Sequence, residues 1–165
     1  MTTQTDHFEI ATLVSRFFHA LDERGFADGW ADGFFTDDVH MDAPVGVFEG
    51  PAAVRGTEEA IRRFARTQHM ASDVLADVDP GSDTGLVSWN ALMVHVHHEG
   101  PDPLFTVGGR YEADVRRTDD GWRISRVSLD VIWTTGRPPV LPPSARRAAG
   151  GTPNTSSAGD RATAR

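Results

Sequence analysis

The chain has 165 residues, 39% of them hydrophobic, which is enough for one core and one domain by the usual relation of length to burial. With 24 acidic against 16 basic residues it carries a formal charge of −8 at pH 7 and shows no basic stripe, which argues against nucleic acid and anionic membranes as partners. It has no cysteine, so disulfides, thiolate metal ligands and cysteine nucleophiles are excluded together.

The N-terminal "MTTQTDHFEI" lacks a basic n-region and an apolar h-region, and no apolar run nears the roughly 18 residues of a membrane span, so a cytoplasmic protein without membrane association is expected. From Asp6 to Arg24 the apolar residues Ile10, Leu13, Val14, Phe17, Phe18 and Leu21 fall at helical spacing, predicting a helix with one buried stripe. Asp6 with Glu9 reads as a capping box, and Gly25 as the stop. A short helix bearing Trp30, Phe34 and Phe35 follows. Then "VHMDAPV" sets Val39, Met41 and Ala43 against His40 and Asp42, the alternation of a strand.

After "EGP", Thr57 is placed to cap another helix. Its inner face is Ala60, Ile61, Phe64 and Ala65, and its solvated face is Arg62, Arg63 and Arg66. Four extended segments come next, about 69–78, 85–98, 104–117 and 122–133, split by the turns "DPGSDTG", "EGPDP" and "TDDG". Such short connections predict an antiparallel meander, and helices followed by long strands predict an α+β domain with the sheet curved around the helices. Between 85 and 98 both alternating faces are apolar: Trp89, Ala91 and Met93 on one, Leu92, Val94 and Val96 on the other. One face covers the helices and a cavity, and the other is expected to bury itself in a homodimer.

The domain is thus drawn over 1–135. From Gly136 onward the chain holds half of the prolines and almost no large apolar residue, too little burial to offset ordering, so 136–165 is expected to be a disordered tail. Five Arg against one Asp give that tail +4, leaving −12 on the body.

Asp22 lies four residues after Phe18 and eight after Val14, so it continues the buried row of the first helix, near a C-terminus whose dipole disfavours a carboxylate. Such a group needs a partner or an exposed, frayed helix end. His69 opens an extended segment on the alternation His69, Ala71, Asp73, and is either an ordinary strand-end histidine or that partner. In "MVHVHHEG", alternation sends His95 and His97 to the face of Met93 and Trp89, and His98 away. The pair has a metal-ligand spacing, with Glu99 or Asp42 as oxygen donors, yet the downstream Glu of a cupin motif is missing. Proton donor or hydrogen-bonding wall is the preferred reading, with no metal and no cofactor. "GSDTG" sits in a hairpin turn and is no nucleophile elbow.

The order of elements, "FHALDERGFADGWADGFFTDDVHMDAP", "TQHM" and "GGRYEADVRRTDDGWRISRVSLDVIW" together resemble the SnoaL-like group of the nuclear transport factor two-like superfamily, on its scytalone dehydratase-like branch, over residues 6 to 135. The resemblance implies a cone-shaped α+β barrel with a deep pocket, commonly dimeric. It places a catalytic Asp at Asp22, its partner at His69, and a second pocket histidine at His95, or at His97 if the alignment slips by two. The chain departs from that branch at Leu21 and Ala43, where water-holding tyrosines fall, and at Tyr111, where an Asn falls. The resemblance implies a cofactor-independent acid/base enzyme, a dehydratase or aldol-type cyclase, acting on a small apolar oxygenated compound such as a polyketide-like intermediate. A binding protein of the same fold, an isomerase and an epoxide hydrolase are the alternatives. In the first scheme His69 removes a proton beside a carbonyl, Asp22 stabilises the imidazolium, and His95 or His97 protonates the departing hydroxyl or enolate. Phe18, Asp42, Trp89, Met93, His97 and Tyr111 are expected to contact the substrate.

Overall fold

A computed structural model describes residues 3–44 and 46–140. In chain order they form helix α1 (Thr3–Glu23), a 3₁₀ turn (Trp30–Gly33), strands β1 (Phe35–Ala43) and β2 (Gly46–Glu49), helix α2 (Gly50–Arg62), and strands β3 (Arg66–Asp77), β4 (Thr84–Val96), β5 (Leu104–Thr118) and β6 (Gly121–Gly136). The six strands make one sheet in the order β2-β1-β6-β5-β4-β3, curved over α1 in an α+β cone. With β2 and β3 as free edges, the sheet does not close into a barrel.

The apolar stripe of α1 does what its spacing predicts. Ile10, Leu13, Val14, Phe17, Phe18 and Leu21 are all buried, and each contributes roughly 1.5–3 kcal/mol. They meet Val39, Trp89, Val115, Ile124 and Val127 on the concave face of the sheet. Bulges between Gly108 and Gly109 and between Asp114 and Val115 add local twist where β5 lies on β6, bending the long strands around the helix.

Strands β3 to β6 form the expected antiparallel meander, but the sheet as a whole is mixed: β1 runs parallel to β6, with Met41 beside Val127 and Asp42 beside Ser128. Short turns dictate direction only between consecutive strands, and β1 reaches β6 through the rest of the domain. Strand β2, which pairs back onto β1, was not anticipated. Helix α2 starts at Gly50 with Pro51 in its first turn, so Thr57 is no cap. Its hydroxyl donates instead to the Ala53 carbonyl at 3.0 Å and meets Met41 Sδ at 3.4 Å. Helix α1 begins three residues before Asp6, which is buried and paired with Arg117 at 2.5 Å. At the other end it is Arg24, not Gly25, that takes the left-handed conformation, at φ 58°.

Two features close the wide end. The Arg24 guanidinium donates to the carbonyls of Ala65 at 2.9 Å, Ile61 at 2.5 Å and Phe64, capping the end of α2. Trp30 Nε1 donates to Glu58 at 2.6 Å, tying the 3₁₀ turn to α2. Beyond β6, the Arg137 amide donates to the Leu104 carbonyl and its side chain to those of Glu99 and Asp102. From residue 141 the expected tail lies outside the described residues.

Among the described residues no helix is long and apolar enough to cross a membrane. The convex face carries Leu92, as expected, within a cross-strand apolar row. Met70 stands opposite Leu92, Leu92 opposite Gly108 and Gly108 opposite Trp133, with Met70, Leu92 and Trp133 exposed by 41%, 37% and 47%. Gly108 is required there, because a Cβ would come within 2.2 Å of the Trp133 ring.

Candidate active site

Asp22 closes α1 on its buried row, and the contact-rich packing of α1 against β3 brings it to His69. One carboxylate oxygen accepts from His69 Nδ1 at 2.6 Å and from the Thr67 hydroxyl at 2.9 Å, and the other accepts the His69 amide at 2.8 Å. Thr67 precedes His69 by two on β3, so both side chains fall on the same face. Desolvation works against the Asp22 carboxylate. The side-chain and backbone bonds from His69 and the Thr67 hydroxyl outweigh it, holding the pKa below the usual carboxylate value.

An ionised carboxylate only accepts, so Nδ1 of His69 carries a proton, and in the neutral ring the lone pair is on Nε2. The His69 side chain is 3% exposed and that of Asp22 22%. Phe18 lies against the His69 ring at 5.3 Å, and against Trp89 and Tyr111 at 6.0 and 5.6 Å. Trp89 and Tyr111 stack in parallel at 4.8 Å, and the Tyr111 hydroxyl donates to Met93 Sδ at 3.5 Å. Burial raises the Tyr111 pKa, so the phenol stays protonated. The residue as a whole is nonetheless only partly buried.

That exposure is shared. Met41, Phe48, Tyr111, Leu129 and Val131 pack on the core from the concave side yet all remain partly accessible. These partly covered side chains make this side of the sheet apolar and incompletely filled around the histidines.

His95 forms the next part of the wall. Its ring stands edge-on to His69 at 5.7 Å, lies 4.5 Å from Phe64 and 5.8 Å from Phe105, and places Nδ1 3.1 Å from the Phe105 carbonyl. Burial lowers its pKa to about 4, and the nearby His69 adds to that, while the Phe105 carbonyl works in the opposite direction. His95 is therefore neutral at neutral pH. Among the described residues, the buried side-chain atoms lacking a partner are Arg24 Nε, Thr36 Oγ1, Trp89 Nε1 and Trp122 Nε1, and neither histidine Nε2 is among them.

Asp22, His69, His95, Phe18, Trp89, Met93 and Tyr111 thus converge on one wall. Two predicted contacts do not. Asp42 is exposed on β1, on the face opposite Met41, which turns toward Thr57 of α2. Alternation distinguishes two faces but does not say which is inside. His97 lies past the end of β4, where Nε2 donates to the Arg137 carbonyl at 2.6 Å and the ring lies 5.2 Å from Phe64. It fastens the rim. Sequence reasoning missed Thr67, which its two-residue spacing from His69 could have revealed, and Phe64, whose cover over His95 depends on where α2 ends. Among the described residues no group of three or more His, Asp or Glu side chains is arranged to hold a metal ion.

Among curated proteins none matches the chain. Among solved structures it is similar to a candidate scytalone dehydratase from Novosphingobium aromaticivorans, with 24% identity, a TM-score of 0.70, and coverage of 80% of this chain and 87% of that one. A hexachlorocyclohexane dehydrochlorinase, LinA-type3, from Novosphingobium barchaimii gives 17%, 0.67, 85% and 97%. A nuclear transport factor 2-like superfamily protein from Salmonella enterica gives 15%, 0.69, 78% and 92%. These likenesses concern the fold. A family profile describing a SnoaL-like domain matches residues 2–128. The matched span takes in α1, the sheet through the first half of β6, and every residue of the Asp22–His69–His95 wall, and the chain belongs to the SnoaL-like domain family.

Proposed function

We propose that the protein is a cofactor-independent acid/base enzyme, a dehydratase or aldol-type cyclase, acting on a small, mostly apolar, oxygenated ring compound of the polyketide or aromatic type. The observation that carries this reading is the His69 ring, held by Asp22 through Nδ1 at 2.6 Å among aromatic side chains, with Nε2 meeting no partner among the described residues. In this scheme His69 Nε2 removes a proton next to a substrate carbonyl. Asp22 stabilises the imidazolium, and the enolate either expels a hydroxyl group or attacks a second carbonyl. Two structural relatives are named as a dehydratase and a dehydrochlorinase, which agrees with an elimination.

Proton abstraction can be tested without knowing the leaving group. Ring ketones such as 2-tetralone are incubated with the protein in D₂O, and deuterium uptake beside the carbonyl is followed by NMR. Wild type should accelerate uptake, and His69→Ala, checked for folding by circular dichroism, should lose ~10² to 10⁴-fold. Equal rates for the two proteins would leave only a ligand-binding role.

We infer further that a second copy of the chain covers the convex row of Met70, Leu92 and Trp133, since large apolar and aromatic side chains in one row are what the centre of such an interface is made of. Sedimentation should give a dimer for wild type and a monomer for Leu92→Asp. A monomeric wild type would remove the interface.

A further inference from the structure

We propose that His95 determines specificity as a hydrogen-bond acceptor, presenting a bare Nε2 beside His69 that takes the proton of a substrate hydroxyl. This rests on the acid/base reading of the same wall and names what the substrate must carry. Nδ1 of His95 lies 3.1 Å from the Phe105 carbonyl, and a carbonyl only accepts, so Nδ1 is the protonated nitrogen. The ring is buried between Phe64 and Phe105 and edge-on to His69, surroundings that disfavour a second proton. What remains at Nε2 is a lone pair, and among the described residues no protein donor meets it.

The wall therefore holds two imidazoles that each turn Nδ1 toward an acceptor of the protein, leaving Nε2 as the nitrogen free to meet a ligand. A compound that reaches both nitrogens at about 3 Å offers a C–H to one and an O–H to the other, a few bonds apart on one ring. The earlier expectation that His95 protonates a departing group does not fit this arrangement. The acid generated in turnover is the His69 imidazolium, which returns to the leaving hydroxide the proton it took from carbon, so that water departs and no net proton is gained. An analogue with its hydroxyl methylated leaves the His95 acceptor unpaired and presses a methyl group against it, which is how a site built for a hydrogen bond rejects its near relatives.

The probes are 1-naphthol and 1-methoxynaphthalene, added to the full chain with ¹⁵N-labelled histidines. At pH 7 His95 should show the Nδ1–H tautomer, and 1-naphthol should shift its Nε2 resonance. The methyl ether should bind at least about tenfold more weakly. In His95→Phe the two probes should bind alike, and in His69→Ala the preference should persist. An Nε2–H or charged His95 at pH 7, equal binding of the probes to wild type, or binding of neither overturns the proposal. No step of this measurement involves turnover. A protein that discriminates the probes but exchanges no ketone protons keeps this inference and loses the catalytic one, and the converse result loses this inference alone.

Discussion

Acidification from pH 7 to 4 should weaken the folded state through His95, and His95→Gln should remove most of that loss. The folded pKa is about 4 against an ordinary 6.5. Below pH 6.5 the unfolded chain takes up a proton that the folded one refuses, so the contribution is complete above 6.5, falls as pH drops, and levels off below about 4. The span from 6.5 to 4 corresponds to about 3 kcal/mol. Asp22 and Asp6 are lowered from 3.8, so the stability they add is present above 3.8 and lost only as pH falls through their folded values, beneath this window. Gln supplies a neutral donor for the Phe105 carbonyl and cannot titrate. Urea unfolding of both proteins at pH 7 and pH 4, with unchanged denaturant slopes, measures the difference. If the variant loses as much stability as wild type, His95 is not held neutral by its surroundings, and the reasoning about its exposed nitrogen fails with it.

Asp22→Asn should slow deuterium exchange by ~10²-fold or more, because an amide no longer fixes the His69 tautomer or stabilises its cation; the rate at saturating ketone reads this. Arg24→Ala removes the donors that cap α2 and should cost ~2 kcal/mol in urea unfolding. It should also raise the His95 pKa by loosening Phe64, which an NMR titration detects. Arg117→Ala should lower the thermal midpoint more than Arg116→Ala, since Arg117 serves a buried Asp6 and Arg116 an exposed Asp38. Calorimetry on the two variants decides it.

Much of this layout could be read from residue spacing. The stripe from Ile10 to Leu21 and the four long strands follow from periodicity and turns, because burial against one face imposes those patterns. The placement of Asp22 was argued from its row and from the helix end, where an unpaired carboxylate is costly. What stayed hidden depends on the third dimension. Nothing in the run from Phe35 to Ala43 says that it joins β6 in parallel, or that Asp42 rather than Met41 faces outward. The carbonyl of Phe105 that fixes the His95 tautomer is main chain, and leaves no trace in residue types. Arg24, adopting a conformation that usually selects glycine, was hidden by the Gly25 beside it.

The parallel ladder between β1 and β6 also orders the assembly of the molecule. Strands β3 to β6 join neighbours through tight hairpins and can zip up locally, whereas Met41 finds Val127 only after most of the domain has been threaded between them. Closing so long a loop costs entropy before any contact repays it. The β1–β2–α2 flank is thus the last piece to lock and the first to loosen. Because that flank carries Met41 and Phe48, which pack on the same core as Trp89 and Met93 of the histidine wall, the weakest seam in the architecture borders the core that supports the chemistry.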